Sequence, residues 1–471
     1  MERKNVIVPQ SEIDLQKEYS KKVREYYESK GKVPKALIET YGCQQNENDS
    51  ERIKGMLDEM GFSFTDKEDE ADFILYNTCA VREGAEMRVL GNIGALKRVK
   101  EKRPELIVGI CGCMMQQESM SKRIKSKFKH VTVVFGTHSL YTFPEIIYRA
   151  VCENERVIHR VESDGRLAED IPVYRNNSAS AWVSIMYGCN NFCSYCIVPY
   201  VRGRERSREP EDVIAEIKSL AASGVKEITL LGQNVNSYGK DLDKDIDFAD
   251  LLLMADEIEG IKRIRFVTSH PKDMTDKLIA TFPKVSKLCD QIHLPFQAGS
   301  NRILKEMNRG YTKEKYIELA EKIREVMPKA SFTTDIIVGF PGETKEDFDE
   351  TIDVIKKVRF DSVFSFIYSK RGGTPAAKME NQVPEEIKHK HFDILLDVQN
   401  QISREINETY RDKVEEIMVE GLSKNNDEMM CGRTSSGKIV NFPKDDALKN
   451  GDFINVKITK ISTWSLMGER V

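Results

Sequence analysis

The order of strand-like and helix-like segments constrains the fold of this 471-residue chain more than any other feature of its sequence. Short apolar runs alternate with helix-like segments in two successive series, and a third region contains short strand-like runs alone. Such alternation predicts parallel sheets with right-handed helical crossovers, and the third region predicts a small all-β barrel. We therefore expect an α/β fold class with an all-β domain at the carboxyl end.

The first series predicts an α/β domain with a parallel sheet over residues 34–152. Strands are expected at 36–42, 73–78, 106–110 and 131–136, and helices at 49–59, 84–100, 119–128 and 143–151. Residues 1–33 form a polar extension without the apolar core of a secretory signal, and we expect it to be helical or partly disordered. A polar linker is expected from about 162 to 179.

The second series predicts a partial barrel over residues 175–406, because six βα units are too few to close an eight-stranded barrel. Its strands are expected at 182–187, 227–231, 263–268, 291–295, 333–339 and 362–368, and its helices include 211–223, 313–327, 345–358 and 384–408. The barrel of residues 409–471 is expected to contain strands at 413–422, 428–434, 439–442 and 453–461.

The composition indicates in which compartment the protein works and which kinds of partner it can bind. No apolar run approaches the ~20 residues that span a bilayer. Ten cysteines without an export signal indicate a reducing, cytoplasmic setting, where thiols are metal ligands or core residues. The 72 basic and 76 acidic residues give a net charge of −4, so any RNA contact would come from local basic patches.

Three cysteines lie close together in the run Tyr187-Gly188-Cys189-Asn190-Asn191-Phe192-Cys193-Ser194-Tyr195-Cys196. A cubane cluster has four irons, so three thiolates leave one iron open, as in catalytic metal sites. A structural zinc ion would need a fourth ligand, and the nearest histidines, His159 and His270, are remote in sequence. The spacing resembles the signature of the radical S-adenosylmethionine (SAM) enzymes, in which the cofactor's amino and carboxylate groups fill the open position.

Cys43, Cys79 and Cys113 form a second candidate set, although no local motif links them. Each follows the end of a predicted parallel strand, and such ends emerge at the sheet edge where open α/β folds bind ligands. Three thiols there can hold a second cubane; the alternative is three ordinary buried cysteines. Cys111 lies within a predicted strand and is expected to be structural. The same is expected of the isolated Cys152, Cys289 and Cys431.

Several motifs together resemble one family over residues 34–471. They are Glu39-Thr40-Tyr41-Gly42-Cys43-Gln44-Gln45-Asn46, Asp49-Ser50-Glu51, residues 188–208, Leu231-Gly232-Gln233-Asn234-Val235-Asn236-Ser237-Tyr238-Gly239 and Trp464-Ser465-Leu466-Met467-Gly468-Glu469. The chain resembles the methylthiotransferase branch of the radical-SAM superfamily, which joins a cysteine-bearing domain, a radical-SAM core and a TRAM barrel. Its closest likeness is to the members that modify isopentenyladenosine in tRNA.

The residues after the first cysteine distinguish the branches of this family. The branch acting on threonylcarbamoyl-adenosine usually has Lys-Val-Asn there, and the branch acting on a ribosomal-protein aspartate usually has Pro-Lys-Asn. This chain has Gln44-Gln45-Asn46, where the isopentenyladenosine branch commonly has Gln-Met-Asn. Gln45 is therefore a small departure from the pattern.

The resemblance implies transfer of a methylthio group to C2 of N6-isopentenyladenosine at position 37 of tRNA, beside the anticodon. A 4Fe-4S cluster on Cys189, Cys193 and Cys196 would reduce SAM, and the resulting 5′-deoxyadenosyl radical would abstract the C2 hydrogen. A 4Fe-4S cluster on Cys43, Cys79 and Cys113 would carry the sulfur, and a second SAM would supply the methyl group. No side chain needs to act as a general base.

Further partners follow from the same resemblance: an electron donor such as flavodoxin or ferredoxin, a sulfur donor, no membrane, and a monomeric chain. The alternatives are the two sibling substrates, threonylcarbamoyl-adenosine tRNA and a ribosomal-protein aspartate. A different class would be a non-catalytic iron–sulfur protein that transfers electrons or binds RNA. Electron carriers usually close their clusters with four cysteines, so two sets of three favour catalysis.

The expected cofactor pocket combines one residue of the cysteine motif with residues at the ends of barrel strands, where barrel enzymes keep their chemistry. Tyr195 can pack against the adenine of SAM, or it can merely shield the cluster. Gln233, Ser269 and Gln297 are expected to line the pocket. His270 is expected to be a satisfied loop histidine, and the alternative is a catalytic role.

Two basic segments of the chain can be interpreted either as RNA-binding or as structural. Residues 202–208 contain four arginines that suit phosphate binding, but Glu205 and Glu209 also allow an ion-pair network. The terminal barrel carries Lys424, Arg433, Lys438, Lys444, Lys457 and Lys460. These cations can be an ordinary solvated face, and the family resemblance favours tRNA binding.

Overall fold

The computed structural model describes residues 7–81, 83–161, 165–175, 179–424 and 426–471. The chain divides into two compact units. The first comprises the described residues up to 175 together with Tyr187–Asn190 and Ile197–Arg208, and the second comprises 179–186, Asn191–Cys196 and Glu209–Val471. Within the described residues, no helix is both long enough and apolar enough to cross a membrane.

The helices and strands follow one another in the predicted alternating order. The first part of the chain contains α1 Gln10–Ser29, β1 Lys35–Tyr41, α2 Gln44–Glu59, β2 Ser63–Phe64, β3 Phe73–Thr78, α3 Glu83–Lys102, β4 Ile107–Cys111, α4 Cys113–Gln116, α5 Glu118–Lys127, β5 Val133–Phe135, α6 Phe143–Val151 and β6 Val157–His159. The middle part contains β7 Ser180–Ser184, β8 Met186–Tyr187, α7 Val198–Arg202, β9 Arg206–Ser207, α8 Pro210–Ala222, β10 Glu227–Leu231, α9 Phe248–Asp256, β11 Arg263–Phe266, α10 Asp276–Thr281, β12 Gln291–His293, α11 Asn301–Glu306, α12 Lys313–Val326, β13 Ser331–Val338, α13 Lys345–Val358, β14 Ser362–Ile367 and α14 Glu385–Glu408. The last part contains β15 Val414–Ser423, β16 Asn426–Thr434, β17 Ile439–Pro443, β18 Phe453–Ile461 and β19 Leu466–Arg470.

The first unit is built on a parallel six-stranded sheet in the order β2-β1-β3-β4-β5-β6. Strand β3 is buried along its whole length, as expected for a parallel strand covered on both faces. The polar N-terminal extension is helical in its described part. Helix α1 packs against α6 and buries Ile13 and Val23, so this segment belongs to the core of the unit.

The second unit contains two parallel three-stranded sheets, β11-β10-β7 and β12-β13-β14. A parallel bridge between Ile264 of β11 and Leu288 links the β11-β10-β7 sheet to the segment that leads into β12 of the other sheet. Buried side chains of these strands and of the surrounding helices form one continuous apolar core. Six parallel strands in an open arrangement confirm the predicted partial barrel.

The C-terminal strands form a closed barrel in the order β15-β16-β17-β19-β18. The loop between β16 and β17 binds the amino-terminal ends of the strands in the same unit. Arg265 of β11 donates to the carbonyl of Thr434 at 2.8 Å, and Ser331 at the start of β13 donates to the carbonyl of Ser436 at 2.6 Å. The carboxyl-terminal ends of the strands lie at the opposite edge from this loop.

The predicted fold class is confirmed, while short elements were missed. The predictions omitted the strands β2, β6, β9 and β19, and because β19 belongs to the barrel, the barrel has a fifth strand. The predicted linker includes 162–164 and 176–178, which lie outside the described residues. Residues 165–175 of this linker belong to the first unit, in which Arg166 binds Glu12 at 2.7 Å and Glu169 binds Arg208 at 2.6 Å. The boundaries of the three predicted domains stay predictions.

Candidate functional site

Cys43, Cys79 and Cys113 lie at one edge of the six-stranded sheet. They follow the carboxyl ends of β1, β3 and β4, which are adjacent in the sheet. Cys111 is instead the last residue of β4, and its side chain is buried among core residues. The structure thus places the three candidate ligands where the sequence predicted them and separates Cys111 from them.

The three thiols of this edge interact with one another and with nearby donors. The Cys79 thiol donates to Cys43 Sγ, and this hydrogen bond, together with the charge of Arg202, lowers the pKa of Cys43. The backbone N–H of Val81 donates to Cys79 Sγ at 3.2 Å. Burial raises the pKa of Cys113, and Arg202 opposes that rise. The hydrogen bond to Cys43, followed by burial, raises the pKa of Cys79 well above its usual value. The Val81 N–H and Arg202 oppose these rises and favour the thiolate, which is the form that binds metals.

Arg202, in the segment Ile197–Arg208 of the first unit, contacts the cysteines at this edge of the sheet. Its Nε donates to Cys113 Sγ at 3.2 Å, and a terminal nitrogen donates to Asp49 Oδ2 at 2.8 Å. The side chains of Ala80, Ile197 and Val201 pack beside Cys113. Because the guanidinium is buried and paired, it supplies a fixed positive charge next to the sulfur.

Two asparagines and a glycine hold the loops that carry these cysteines. Asn46 donates to Asn77 Oδ1 at 3.0 Å, and Asn77 donates back to the Asn46 carbonyl at 2.8 Å. Gly112 has a φ of +95°, and a Cβ there would lie 2.5 Å from the Thr78 carbonyl oxygen. Only glycine therefore fits between β4 and Cys113.

The donor chemistry of this edge fits an iron–sulfur cluster. It offers three thiols on three adjacent loops, together with N–H donors directed at sulfur, among them Val81 and Arg202, and such contacts tune these clusters. Among the described residues, no three His, Cys, Asp or Glu side chains are grouped as ligands of a single metal ion. A cubane cluster does not need its ligands grouped around one ion, because each of its cysteines binds a separate iron.

Cys189 belongs to the first unit, whereas Cys193 and Cys196 belong to the second. In the first unit, the Cys189 N–H donates to the Gly203 carbonyl at 3.1 Å, and the Asn190 N–H donates to Glu205 at 3.1 Å. Gly188 has a φ of +77°, and a Cβ there would lie 2.0 Å from the Arg204 carbonyl oxygen. The backbone that leads into Cys189 is therefore held tightly.

In the second unit, Arg309 lies against the part of the motif that contains Cys193 and Cys196. Arg309 is 4% exposed and donates to Cys193 Sγ at 3.4 Å and to the Pro295 carbonyl at 2.8 Å. Asn308 donates to the carbonyls of Asn191 and Phe192, both at 3.1 Å. The turn after α11 thus holds the cysteine loop and directs a cation at one of its sulfurs.

The predicted pocket residues of the second unit occupy the carboxyl-terminal ends of its strands. Gln233 follows β10, Ser269 follows β11 and Gln297 follows β12. Tyr195 packs against the apolar cluster that includes Ala298 and Phe340. The structure therefore places Gln233, Ser269 and Gln297 at the edge predicted for cofactor binding.

Backbone strain marks the same edge. Phe192, Thr268 and Gln297 have φ values of +46°, +67° and +70°, and they are three of the eight non-glycine residues with positive φ in the described chain. Such conformations cost energy and are often found at functional sites. Gln297 is held by two backbone bonds to β13, from its N–H to Asp335 at 2.9 Å and from the Ile337 N–H at 3.0 Å.

Buried polar atoms without protein partners collect on two adjoining loops of this edge. The Val235 N–H donates to the Thr268 carbonyl at 3.2 Å and thereby joins the loop after β10 to the loop after β11. Within the described residues, these loops carry four buried side-chain atoms that lack a hydrogen-bond partner: Asn234 Oδ1, Asn236 Oδ1, Ser269 Oγ and His270 Nε2. Buried polar atoms are normally paired, so these atoms indicate a place for a polar ligand or water.

His270 differs from the satisfied loop histidine that the sequence predicted. Its Nδ1 accepts the Lys272 N–H at 3.2 Å, and burial, followed by the charge of Arg309, lowers its pKa to about 2. The ring is therefore neutral, with its proton on Nε2. His270 is thus a fixed donor whose Nε2 has no protein acceptor in the described chain.

The arginines of residues 202–208 are mainly structural. Arg202 binds Asp49 and Cys113, Arg206 donates to the Arg204 carbonyl at 2.9 Å, and Arg208 binds Glu169. These three side chains are buried, whereas Arg204 is exposed. Sequence reasoning missed the contacts of Arg202 and Arg309 with cysteine sulfur, because no local pattern distinguishes them from other arginines.

Family comparisons match all three parts of the chain. The uncharacterized protein family UPF0004 matches residues 35–136, the radical SAM superfamily matches residues 183–355, and the TRAM domain matches residues 408–471. Radical SAM enzymes use a 4Fe-4S cluster and S-adenosylmethionine. The matches therefore agree with the parallel-sheet core and the closed C-terminal barrel described above.

Relatives match over nearly the whole chain. A tRNA-2-methylthio-N(6)-dimethylallyladenosine synthase from Acetivibrio thermocellus is 52% identical over 474 residues, covering 100% of this chain and 98% of that protein. A protein of the same name from Clostridium beijerinckii is 54% identical over 433 residues, covering 92% of this chain and 95% of that protein.

Among solved structures, the radical SAM methyltransferase TsrM from Kitasatospora setae has a TM-score of 0.52 at 16% identity. The alignment covers 73% of this chain and 75% of that one, and this likeness concerns the fold alone. The identity to the full-length relatives decides the family. The chain belongs to the tRNA-2-methylthio-N6-dimethylallyladenosine synthase family and is an enzyme of the radical SAM class.

Proposed function

We propose that this enzyme transfers a methylthio group to C2 of N6-isopentenyladenosine at position 37 of tRNA. The observation that carries the proposal is the 52% identity, over the full chain, to a relative named for that product. Two sets of three cysteines support it, because the reaction has two tasks: removal of the C2 hydrogen and delivery of sulfur.

The C2–H bond of adenine is neither acidic nor electrophilic, so acid–base chemistry is a poor route to it. When bound by Cys189, Cys193 and Cys196, a 4Fe-4S cluster with one open iron supplies, together with SAM, a radical able to remove this hydrogen. The chain's part is to hold three thiolates and to leave the fourth position free. Arg309 holds Cys193, and Asn308 holds the loop before it.

Cys43, Cys79 and Cys113 are the proposed ligands of a second 4Fe-4S cluster, which would supply sulfur from its open iron. Arg202 and the N–H of Val81 donate to two of these sulfurs and would stabilise thiolate charge. Gly112 lets the loop after β4 bring Cys113 to the same edge as the other two cysteines.

Tyr195, Gln233, Ser269 and Gln297 are the proposed cofactor-binding residues. Ser269 Oγ is buried without a protein partner in the described chain and can bind a polar group of SAM. The strained backbone of Gln297 supports a role in positioning. No side chain is assigned as a general acid or base.

The tRNA is the proposed macromolecular partner, with the TRAM barrel as one of its contact surfaces. The exposed Trp464 in the turn between β18 and β19 suits base stacking. An electron donor such as flavodoxin or ferredoxin and a sulfur donor complete the scheme, and the chain is proposed to act as a monomer.

Mass spectrometry of tRNA nucleosides tests this proposal. The reconstituted enzyme is incubated anaerobically with SAM, a reductant and tRNA that carries either isopentenyl- or threonylcarbamoyl-adenosine. We expect a methylthio nucleoside from the isopentenyl tRNA alone. Product from the other tRNA alone would overturn the substrate assignment, and deoxyadenosine without any tRNA product would point to a different target.

A further inference from the structure

Two exposed phenylalanines lie on one face of β14, the edge strand of the β12-β13-β14 sheet. Phe364 and Phe366 are 51% and 38% exposed. Residues two positions apart in a strand share a face, so the two rings stand side by side. Large apolar side chains that remain in water contribute little to folding and often mark a binding surface.

The opposite face of the sheet is already covered. Helix α14 packs against β14, and Phe332, Ile336 and Val338 of β13 lie in the core. Gln399 of α14 donates to the Phe360 carbonyl at 2.8 Å just before β14. Phe364 and Phe366 therefore project from the face that the helices leave open.

Neighbouring strands extend this face. Phe364 pairs with Asp335 and Phe366 pairs with Ile337 across β13 and β14. His293 of β12 lies edge-on to the Phe364 ring with centroids 5.7 Å apart, and its Nε2 is 3.6 Å from Asp335 Oδ2. The surface thus combines two aromatic rings and one aliphatic side chain with a single carboxylate and an imidazole.

The same surface is continuous with the proposed cofactor pocket. Asp335 and Ile337, which pair with the two phenylalanines, are the residues whose backbones hold Gln297. Ile337 also packs against the apolar cluster that Tyr195 contacts. A ligand on the two phenylalanines would therefore lie beside Gln297, where the target of a cofactor-derived radical has to be.

We propose that Phe364, Phe366 and Ile337 bind the dimethylallyl substituent of the target adenosine and thereby select the prenylated tRNA. The inference rests on the proposed function and names residues that determine its specificity. The dimethylallyl group is neutral, branched and apolar, which suits an aromatic and aliphatic surface. A threonylcarbamoyl group carries a carboxylate, and the adjacent Asp335 would repel it. The Asp335 carboxylate can also accept the N6–H of the alkylated adenine.

Binding, rather than turnover, provides the test. The holoenzyme, with SAM and without reductant, is titrated with fluorescent anticodon stem-loop RNAs of one sequence that carry adenosine or N6-dimethylallyladenosine at position 37. From burial of the five-carbon group, we expect the wild type to prefer the prenylated RNA by about tenfold to a hundredfold. In the Phe364→Ala/Phe366→Ala variant, we expect the preference to fall to about threefold or less, with affinity for the unmodified RNA nearly unchanged.

Two further variants separate this effect from damage to the fold. The Phe364→Leu/Phe366→Leu variant retains apolar area and should keep most of the preference. Ile394→Ala changes a 40% exposed apolar residue on α14, and this variant should keep the full preference for the prenylated RNA. An unchanged preference in the double alanine variant would overturn the inference. An equal loss of affinity for both RNAs would also overturn it, since it would show a general base-stacking surface.

Failure of the proposed function would look different. In that case the wild type itself would not prefer the prenylated stem-loop, or it would bind a threonylcarbamoyl stem-loop more tightly. The inference alone fails when the wild type prefers the prenylated RNA and the double alanine variant keeps that preference.

Discussion

In each unit, a buried arginine donates to a cysteine sulfur. Arg202 contacts Cys113 at 3.2 Å in the first unit, and Arg309 contacts Cys193 at 3.4 Å in the second. A cationic N–H donor at a cluster thiolate stabilises the additional negative charge of the reduced cluster. We therefore expect both arginines to raise the reduction potentials of the clusters that they contact.

Replacement of Arg309 tests this expectation. Arg309→Met removes the charge and the donor while retaining bulk, so the reduction potential of the radical-SAM cluster should become more negative. Arg309→Lys keeps the charge and should shift the reduction potential less than Arg309→Met does. A redox titration followed by electron paramagnetic resonance measures the potential. Arg302→Met, at a 51% exposed side chain paired with Asp347, is the control. An unshifted potential in Arg309→Met with iron content retained would contradict the assigned role.

The two cysteines that flank Gly112, Cys111 and Cys113, allow a second prediction at the scale of residues. Cys113→Ala should lose about four irons per chain, the content of one cubane. Cys111→Ala should keep them, because Cys111 is buried in β4 and packs in the core. Iron and sulfide analysis of the reconstituted variants decides between them. Loss of iron from Cys111→Ala alone would reverse the assignment.

At the scale of elements, strand adjacency brings distant cysteines together. The chain separates Cys43, Cys79 and Cys113 by more than thirty residues each, yet β1, β3 and β4 are neighbours in the sheet. Each loop then has to turn sharply at the sheet edge. The loop after β4 does so through Gly112, with its φ of +95°.

Gly112→Ala should therefore destabilise the first unit by about 1–3 kcal/mol and reduce its iron content. The added Cβ would lie 2.4 Å from Asn77 Oδ1 and 2.5 Å from the Thr78 carbonyl oxygen, and backbone cannot easily move away. Gly91→Ala in α3 is the matched control, because a Cβ there meets nothing within 4 Å. Chemical denaturation of both variants measures the difference. Equal stability would show that the turn tolerates a side chain.

Most of the elements could be predicted from the sequence because long apolar runs and helical periodicity are local signals. Predicted strands 73–78, 227–231 and 453–461 coincide with β3, β10 and β18. The missed strands β2 and β6 contain two and three residues, too few to show a period. Convergence of the cysteines was also predictable, since it follows from parallel topology. The contacts of Arg202, Arg309 and His270 depend on tertiary packing, which no local pattern encodes.

At the scale of the second unit, the C-terminal barrel and the candidate pocket occupy opposite ends of the parallel strands. Arg263 at the start of β11 donates to the Arg433 carbonyl at 2.7 Å, and Lys438 binds Asp361 just before β14 at 2.7 Å. Gln233, Ser269 and Gln297 follow the other ends of the strands. This arrangement closes one end of the partial barrel and leaves the carboxyl-terminal end for chemistry, as is usual in barrel enzymes.

The central claim for the whole molecule is that two cysteine sets perform two separable tasks. Liquid chromatography with mass spectrometry, applied to one reaction mixture, measures both 5′-deoxyadenosine and methylthio nucleoside on isopentenyl tRNA. The wild type should form both products, Cys113→Ala should form deoxyadenosine without the methylthio nucleoside, and Cys193→Ala should form neither. Full methylthio product from Cys113→Ala would contradict the account, because the first unit would then supply no sulfur.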